Sequence, residues 1–157
     1  MKIFLDTNVV MEFFGNRIFF EDCRRIMEAA FQGGIDACMS AGGVYTITYL
    51  LGIDLKKKNI HEPNKTEMVR EMLHDLLKNY ISVVDISQEG METALDDQTI
   101  YDLEDAYQYY CAIENECDAI VTINMKHFSG NHNQNIHVFT PSDFVNRFLE
   151  IEEGKES

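Results

Sequence analysis

Acidic residues recur in this chain at places where a folded backbone would turn. Asp6 directly follows the apolar run Lys2-Ile3-Phe4-Leu5. Asp102, Glu104 and Asp105 open a segment with helical patterning, and Thr122-Ile123-Asn124 lies at the end of a second apolar run that starts at Ala119. Three acids in a first helical turn are favoured by the helix dipole, at about 0.3–1 kcal/mol each, and need no further role by themselves. Brought together with Asp6 and Asn124 they imply more. Several carboxylates in one pocket repel each other, and some take up protons unless a cation lies between them. An oxygen-only donor set without Cys or His selects a hard ion, Mg²⁺ or Mn²⁺. Such ions keep several waters and bind phosphate oxygens. The chemistry implied is metal-assisted phosphodiester hydrolysis, in which a bound water attacks and the metal offsets the developing charge.

That convergence requires Asp6 and Asn124 to leave neighbouring strands at the same sheet edge. The hydrophobic pattern predicts strands over Lys2–Leu5, Ile35–Met39, Ile81–Val84, Ala119–Thr122 and Ile136–Phe139. Helices are predicted from an Asn8 cap to Phe14, over Glu21–Phe31, and over Gly42–Leu55 behind a Ser40 cap. Others are predicted from an Asn64 cap through Leu77, over Gln88–Leu95 and Tyr101–Asn115, and from Pro141 to Phe148. Lys56–Pro63 and Ser129–Asn135 read as loops. In the fourth helix Met68, Met72, Leu73, Leu76 and Leu77 are placed on one face, as core or subunit interface. Alternating strands and helices imply right-handed crossovers and a mainly parallel sheet of about five strands. The expected architecture is a single α/β domain in three layers over residues 1–149, with a frayed acidic tail at 150–157. In such sheets, sites form beyond the carboxyl ends of the strands.

The 157 residues carry 13 Lys and Arg against 27 Asp and Glu, a net charge of −14. This excludes coating nucleic acid by bulk electrostatics, and it disfavours docking on anionic lipid. Local cleavage of a nucleic acid stays open, because Asp6, Asp102, Glu104 and Asp105 are only four of the 27 acids. The four cysteines, Cys23, Cys38, Cys111 and Cys117, show no C-x-x-C spacing and read as reduced, buried thiols of a cytoplasmic protein. No signal peptide or membrane span is expected. No glycine-rich phosphate loop occurs. Asn8 stands where a haloacid-dehalogenase-type phosphatase needs a second Asp, and the acidic pair of a receiver domain is missing.

Three segments carry a resemblance. Ile3-Phe4-Leu5-Asp6-Thr7-Asn8-Val9-Val10 resembles the opening motif of PIN domains. Asp102-Leu103-Glu104-Asp105-Ala106-Tyr107-Gln108-Tyr109 resembles their second acidic motif, and Asp118–Asn124 with Phe128 resembles their last strand and loop. The resemblance spans roughly residues 1–145 in order and spacing. It implies a PIN-like α/β fold and a Mg²⁺- or Mn²⁺-dependent ribonuclease. It further implies kinship with VapC-type toxins, an antitoxin partner and a homodimer. Asp6 and Asp105 match the metal-binding acids, with Asp102 as a further candidate ligand and Glu104 matching an acid of one branch. Asn124 stands where many members have Asp, and Thr122 matches the polar loop. Asn8, Thr122 and Thr46 are expected in support. Two departures stand out: Thr46 holds the place of the family's Glu in the helix after the second strand, and His127, not an acid, precedes Phe128.

These departures keep a second reading alive: a catalytically weakened PIN-like domain that binds protein or RNA as a regulatory module. A DNA-directed nuclease differs in substrate alone. Lys56-Lys57-Lys58, with His61 and Lys65, forms the densest positive patch. It reads either as a helix end complementing its dipole or as contacts to RNA phosphates, so Lys56 and Lys57, with His127, are candidate substrate contacts. Arg17, Arg24 and Arg25 form a smaller basic cluster. Tyr107, Tyr109 and Tyr110 read as base-stacking rings or as buried ones. Phe13, Phe14, Phe19 and Phe20 read as core or as an antitoxin or dimer surface.

Overall fold

In the first strand, β1 (Lys2–Leu5), successive side chains point to opposite faces, and the buried Ile3, Phe4 and Leu5 put apolar groups on both. A strand greasy on both sides must lie inside a sheet covered twice. The computed structural model, which describes residues 1–128 and 136–150, shows this arrangement. β2 (Asp36–Ser40), β3 (Ser82–Val84), β4 (Ala119–Val121) and β5 (His137–Phe139) complete a five-stranded sheet ordered β3-β2-β1-β4-β5. All its pairings are parallel. β1 is central, with Phe4 opposite Cys38 on one side and Ile120 on the other.

Two apolar layers cover the sheet. Ile3, Leu5, Met39 and Val121 pack under α1 (Thr7–Gly15), α2 (Phe20–Phe31), α3 (Ala41–Lys57), α4 (Asn64–Asn79) and α7 (Pro141–Phe144). Phe4, Cys38 and Ile120 pack under α5 (Gln88–Asp96) and α6 (Leu103–Glu114), where Tyr109 and Ala112 are buried. A 3₁₀ turn, Met125–Phe128, follows β4, and α7 runs into a π-helical turn, Val145–Leu149. The four cysteines are free and buried, and Cys38 Sγ lies 3.5 Å from Cys117 Sγ. No helix of the described residues is long and apolar enough to cross a membrane.

The chain winds outward from β1 to β3, then returns to add β4 and β5 on the other side. The reversal between β1 and β4 is the topological switch point at which α/β sheets hold ligands. The ladder extends one residue beyond these strands. Asp6 N–H donates to Val121 O at 3.0 Å, and Thr122 N–H donates to Phe139 O at 2.9 Å. Asp6 and Thr122 are thereby held side by side at the carboxyl edge.

Several expected boundaries move. Asn8 lies inside α1, whose cap position falls to Asp6, because helical backbone resumes as soon as β1 ends. α6 starts at Leu103 with Asp102 as its cap, so Tyr101 stays outside it. α3 continues through Lys57, which puts Lys56 and Lys57 in a last helical turn rather than a loop, where cations suit the dipole. Pro63, not Asn64, takes the cap of α4. That helix buries Val69 and Leu76, while Met68 and Leu77 are 39% and 42% exposed, so the apolar face is narrower than its sequence suggests. The Ser129–Asn135 loop and the tail after Glu150 lie outside the described residues.

Ser40 starts α3 as expected, its Oγ accepting from Gly43 N–H at 3.0 Å. Ser40→Ala removes that acceptor and is expected to cost about 1 kcal/mol of unfolding free energy, with Ser40→Gly costing a few tenths. Urea denaturation of the three proteins measures both.

Candidate active site

The site begins with a residue that does not do the local job its position offers. Asp6 occupies the cap position of α1 in extended backbone, yet its side chain makes no capping bond. Its carboxylate instead turns toward β4. Oδ2 accepts from Thr122 Oγ1 at 2.7 Å and from Asn8 Nδ2 at 3.1 Å. Gln108 of α6 and the backbone of Thr7 also bond to this carboxylate. Thr122 Oγ1 accepts in turn from Asn124 N–H at 3.1 Å, and Asn8 Oδ1 accepts from Ile123 N–H at 3.4 Å. The last-strand loop is thus tied to Asp6 from both sides.

Asp105 enters from the other layer. Asp102 Oδ1 accepts its backbone N–H at 3.1 Å, the cap of α6. Asp105 is 7% exposed and Asp6 4%. Both line one cavity of about 240 Å³ together with Asp102, Glu104, Asn8 and Asn124. Thr46 borders it from α3: its Oγ1 lies 3.4 Å from Glu104 Oε1 and donates to Gly42 O at 3.1 Å.

Burial raises the Asp6 pKa above the ordinary 3.8, and the hydrogen bonds from Thr122, Gln108, Thr7 and Asn8 offset this only in part. Every one of those partners is a neutral donor. Thr7 Oγ1, at the cavity wall, is buried with no hydrogen-bond partner among the described residues. A buried carboxylate without a cationic partner, a second one facing it and an orphaned hydroxyl fit a hard divalent ion, which one or two carboxylates and water suffice to bind. Among the described residues no three Asp, Glu, His or Cys side chains converge tightly enough to form a cage by themselves. The donor set is therefore lean, two buried acids completed by neutral oxygens.

The PIN domain family model matches residues 2–126, the stretch that holds every residue of this cavity. The chain belongs to the PIN-domain family. No curated protein matches it. The solved structures that share the fold include these two. A toxin–antitoxin complex from Klebsiella pneumoniae is 21% identical, with a TM-score of 0.59 over 88% of this chain and 97% of that one. VapBC2 from Rickettsia felis, bound to a DNA fragment from its promoter, is 16% identical, with a TM-score of 0.57 over 89% of this chain and 98% of that one.

This PIN domain brings Asp6, Asn8, Asp102, Glu104, Asp105 and Asn124 to one cavity, with Thr122 and Thr46 bonded to its walls. Lys56 does not join them. It lines a separate cavity between α3 and α4, and Lys57 follows it in the same exposed turn. The His127 side chain lies outside those described. Sequence reasoning missed Gln108, Thr7 and Arg17. Gln108 is 5% exposed and falls one turn after Asp105, a spacing that marks a shared helix face. Arg17 brings a cation to the cavity and is tied to Asp54 at 3.1 Å. No local pattern around Arg17 announces this.

The raised Asp6 pKa has a consequence for stability. Folded Asp6 binds its proton at a higher pH than unfolded Asp6 does. In that window the folded state holds more protons, so stability falls as pH rises through the raised value. Asp6→Asn removes this titration. Without divalent ions at pH 7, the variant is expected to melt at or above the wild-type temperature, and the difference should shrink as pH falls toward 4. Calorimetric melts from pH 4 to 8 test this, and a variant that melts well below wild type at neutral pH would contradict it.

Proposed function

We propose that this PIN domain is a Mg²⁺- or Mn²⁺-dependent endoribonuclease of the toxin–antitoxin type. The carrying observation is the pair of buried carboxylates, Asp6 and Asp105, delivered by different layers to one cavity at the switch point. In that reading Asp6 and Asp105 are the primary ligands. When bound, the ion supplies an activated water and offsets charge on the phosphate. The protein's own contribution is positioning. Two donors on Asp6 Oδ2, from Thr122 and Asn8, fix the rotation of that carboxylate. Asp102, held as the cap of α6, orients the first turn that presents Asp105, and it is a reserve ligand. Asn124, bonded through its N–H to Thr122, and Gln108 complete the polar wall. Glu104 offers a carboxylate beside Thr46, on the side of the cavity where the resemblance leads one to expect a Glu from α3. Arg17 is placed to meet a phosphate.

The toxin–antitoxin part of the proposal is supported by the likeness to a toxin–antitoxin complex and to VapBC2, and by exposed apolar side chains that suit a protein partner. Ile18 is 88% exposed, Phe19 46% and Phe31 59%. Phe13, Phe14 and Phe20, by contrast, are partly buried and mostly stack among themselves. An antitoxin or a second copy covering the exposed Ile18, Phe19 and Phe31, and a cytoplasmic location consistent with four free thiols, belong to the same proposal. The lean acid set favours one alternative, a weakened domain that binds without cutting.

One experiment separates them. Purified chain with RNA and Mg²⁺ or Mn²⁺ is expected to cut. Chelation should stop the reaction, and Asp6→Asn or Asp105→Asn should lower it by about a hundredfold or more, at the upper end of what changes around a metal site cost. The ion alone should raise stability by about 2.7 kcal/mol at a hundredfold excess over its Kd. Absence of both cutting and stabilisation sinks the proposal and leaves the binding module.

A further inference from the structure

The outer face of α3 carries residues the acid cavity does not use. At about 100° per residue, Thr46 and Leu50 face the acid cavity, while Ile47, Leu51 and Leu55 face the core. Between these two faces, on the solvent side, runs a stripe of Tyr45, Tyr49, Gly52, Ile53 and Lys56. Tyr45 is 75% exposed and Tyr49 69%. Neither ring packs on another aromatic ring among the described residues. Tyr49, Ile53 and Lys56 then form one wall of a cavity of about 430 Å³ whose other wall is Lys65 and Thr66 of α4. A Cβ built on Gly52 would meet nothing within 4 Å, so the groove is open there.

Charge says what fits. Residues 56–65 hold four of the chain's 13 Lys and Arg against a single acid, Glu62, in a protein of net charge −14. Glu62 is engaged locally, accepting from the backbone N–H of Thr66 at 3.0 Å. An isolated cationic end on so acidic a chain selects a polyanion. From Thr46 to Lys56 the helix rises about 15 Å, enough for a short stretch of an extended strand. Unstacked bases lie on exposed aromatic faces, and phosphates meet lysines. Proteins hold single-stranded nucleic acid by this combination, which a duplex cannot use because its bases are already stacked.

We propose that the α3 stripe is a track for single-stranded nucleic acid, with bases on Tyr45 and Tyr49 and phosphates at Lys56 and Lys65, leading the strand to or from the acid cavity. The proposal rests on the nuclease reading, since that reading puts a phosphodiester at the head of the stripe. It is tested by binding and not by cutting, so the two fail separately.

The probe is a labelled single-stranded RNA oligonucleotide, titrated with full-length Asp6→Asn protein in chelator and low salt and read by fluorescence anisotropy. Adding Tyr45→Leu or Tyr49→Leu should weaken binding at least fivefold each, the lower end of what a stacked base contributes. Adding Lys56→Gln should flatten the salt dependence by nearly one phosphate contact. Gly52→Leu fills the groove floor while leaving each of these side chains in the sequence. It should fold at least as stably, because Gly is unfavourable inside a helix, and should still weaken binding. A duplex of the same sequence should bind at least tenfold more weakly. The track is refuted if the oligonucleotide does not bind, if the tyrosine variants bind like their parent, or if duplex binds equally. It is also refuted if Tyr49→Leu merely converts a sedimenting dimer to monomer with binding unchanged, which would assign the stripe to a second copy. Binding through the stripe by a wild-type chain that never cuts would instead remove the nuclease reading alone.

Discussion

The structure depends on the pairing of β1 with β4. A single ladder bond past the end of the strands, from Asp6 N–H to Val121 O, brings the two polar residues Asp6 and Thr122 side by side. Everything else in the cavity is arranged around that contact. α6 packs under the same two strands and delivers Asp105 and Gln108, while α3 leaves the neighbouring strand β2 and delivers Thr46. A shift of one residue in this register would turn the carboxylate to the opposite face of the sheet, because side chains alternate along a strand.

Such a site costs stability. Asp6 is buried among neutral donors and its pKa is driven upward, so at neutral pH its charge works against the fold. Three side chains and a backbone N–H grip a group that the apolar core would be better without. Packing elsewhere offsets the strain: both faces of β1 are fully covered, and large side chains such as Phe4, Leu5, Tyr109 and Phe144 are excluded from solvent. Among the described residues, the buried polar side chains gather at the cavity and its walls. A divalent ion would convert the burden into an attraction.

Much of this arrangement is readable in the amino-acid order, for definite reasons. The strands show because each is a short apolar run bounded by turn residues, and their alternation with helices forces a parallel sheet. Asp6, Asp105 and Asn124 show because each sits just past a strand or in the first turn of a helix, where side chains project at one edge. Gln108, Thr7 and Arg17 do not show. A buried glutamine looks like any surface glutamine until the partner 102 residues away is placed, and Arg17 is drawn in by Asp54 on another helix. The lysines mislead for a related reason. Lys56 and Lys57 seem loop residues free to reach the cleft, but α3 carries on through them and holds them a helix length away. On α4, expected to face the core or a subunit interface, Met68 and Leu77 are exposed in the single chain, so apolar identity alone does not tell which edge of a stripe meets the core.

The central position of β1 has a consequence for how the molecule comes into being. The strand at the middle of the sheet is the first of the five in chain order, and one of its two neighbours begins at residue 119. The Asp6–Thr122 contact therefore closes a loop of 116 residues. Closing so long a loop carries an entropic cost that the packed layers on both faces repay. The acid cavity is thus a property of the completed domain, and a chain that lacks β4 has the acids but no place where they meet.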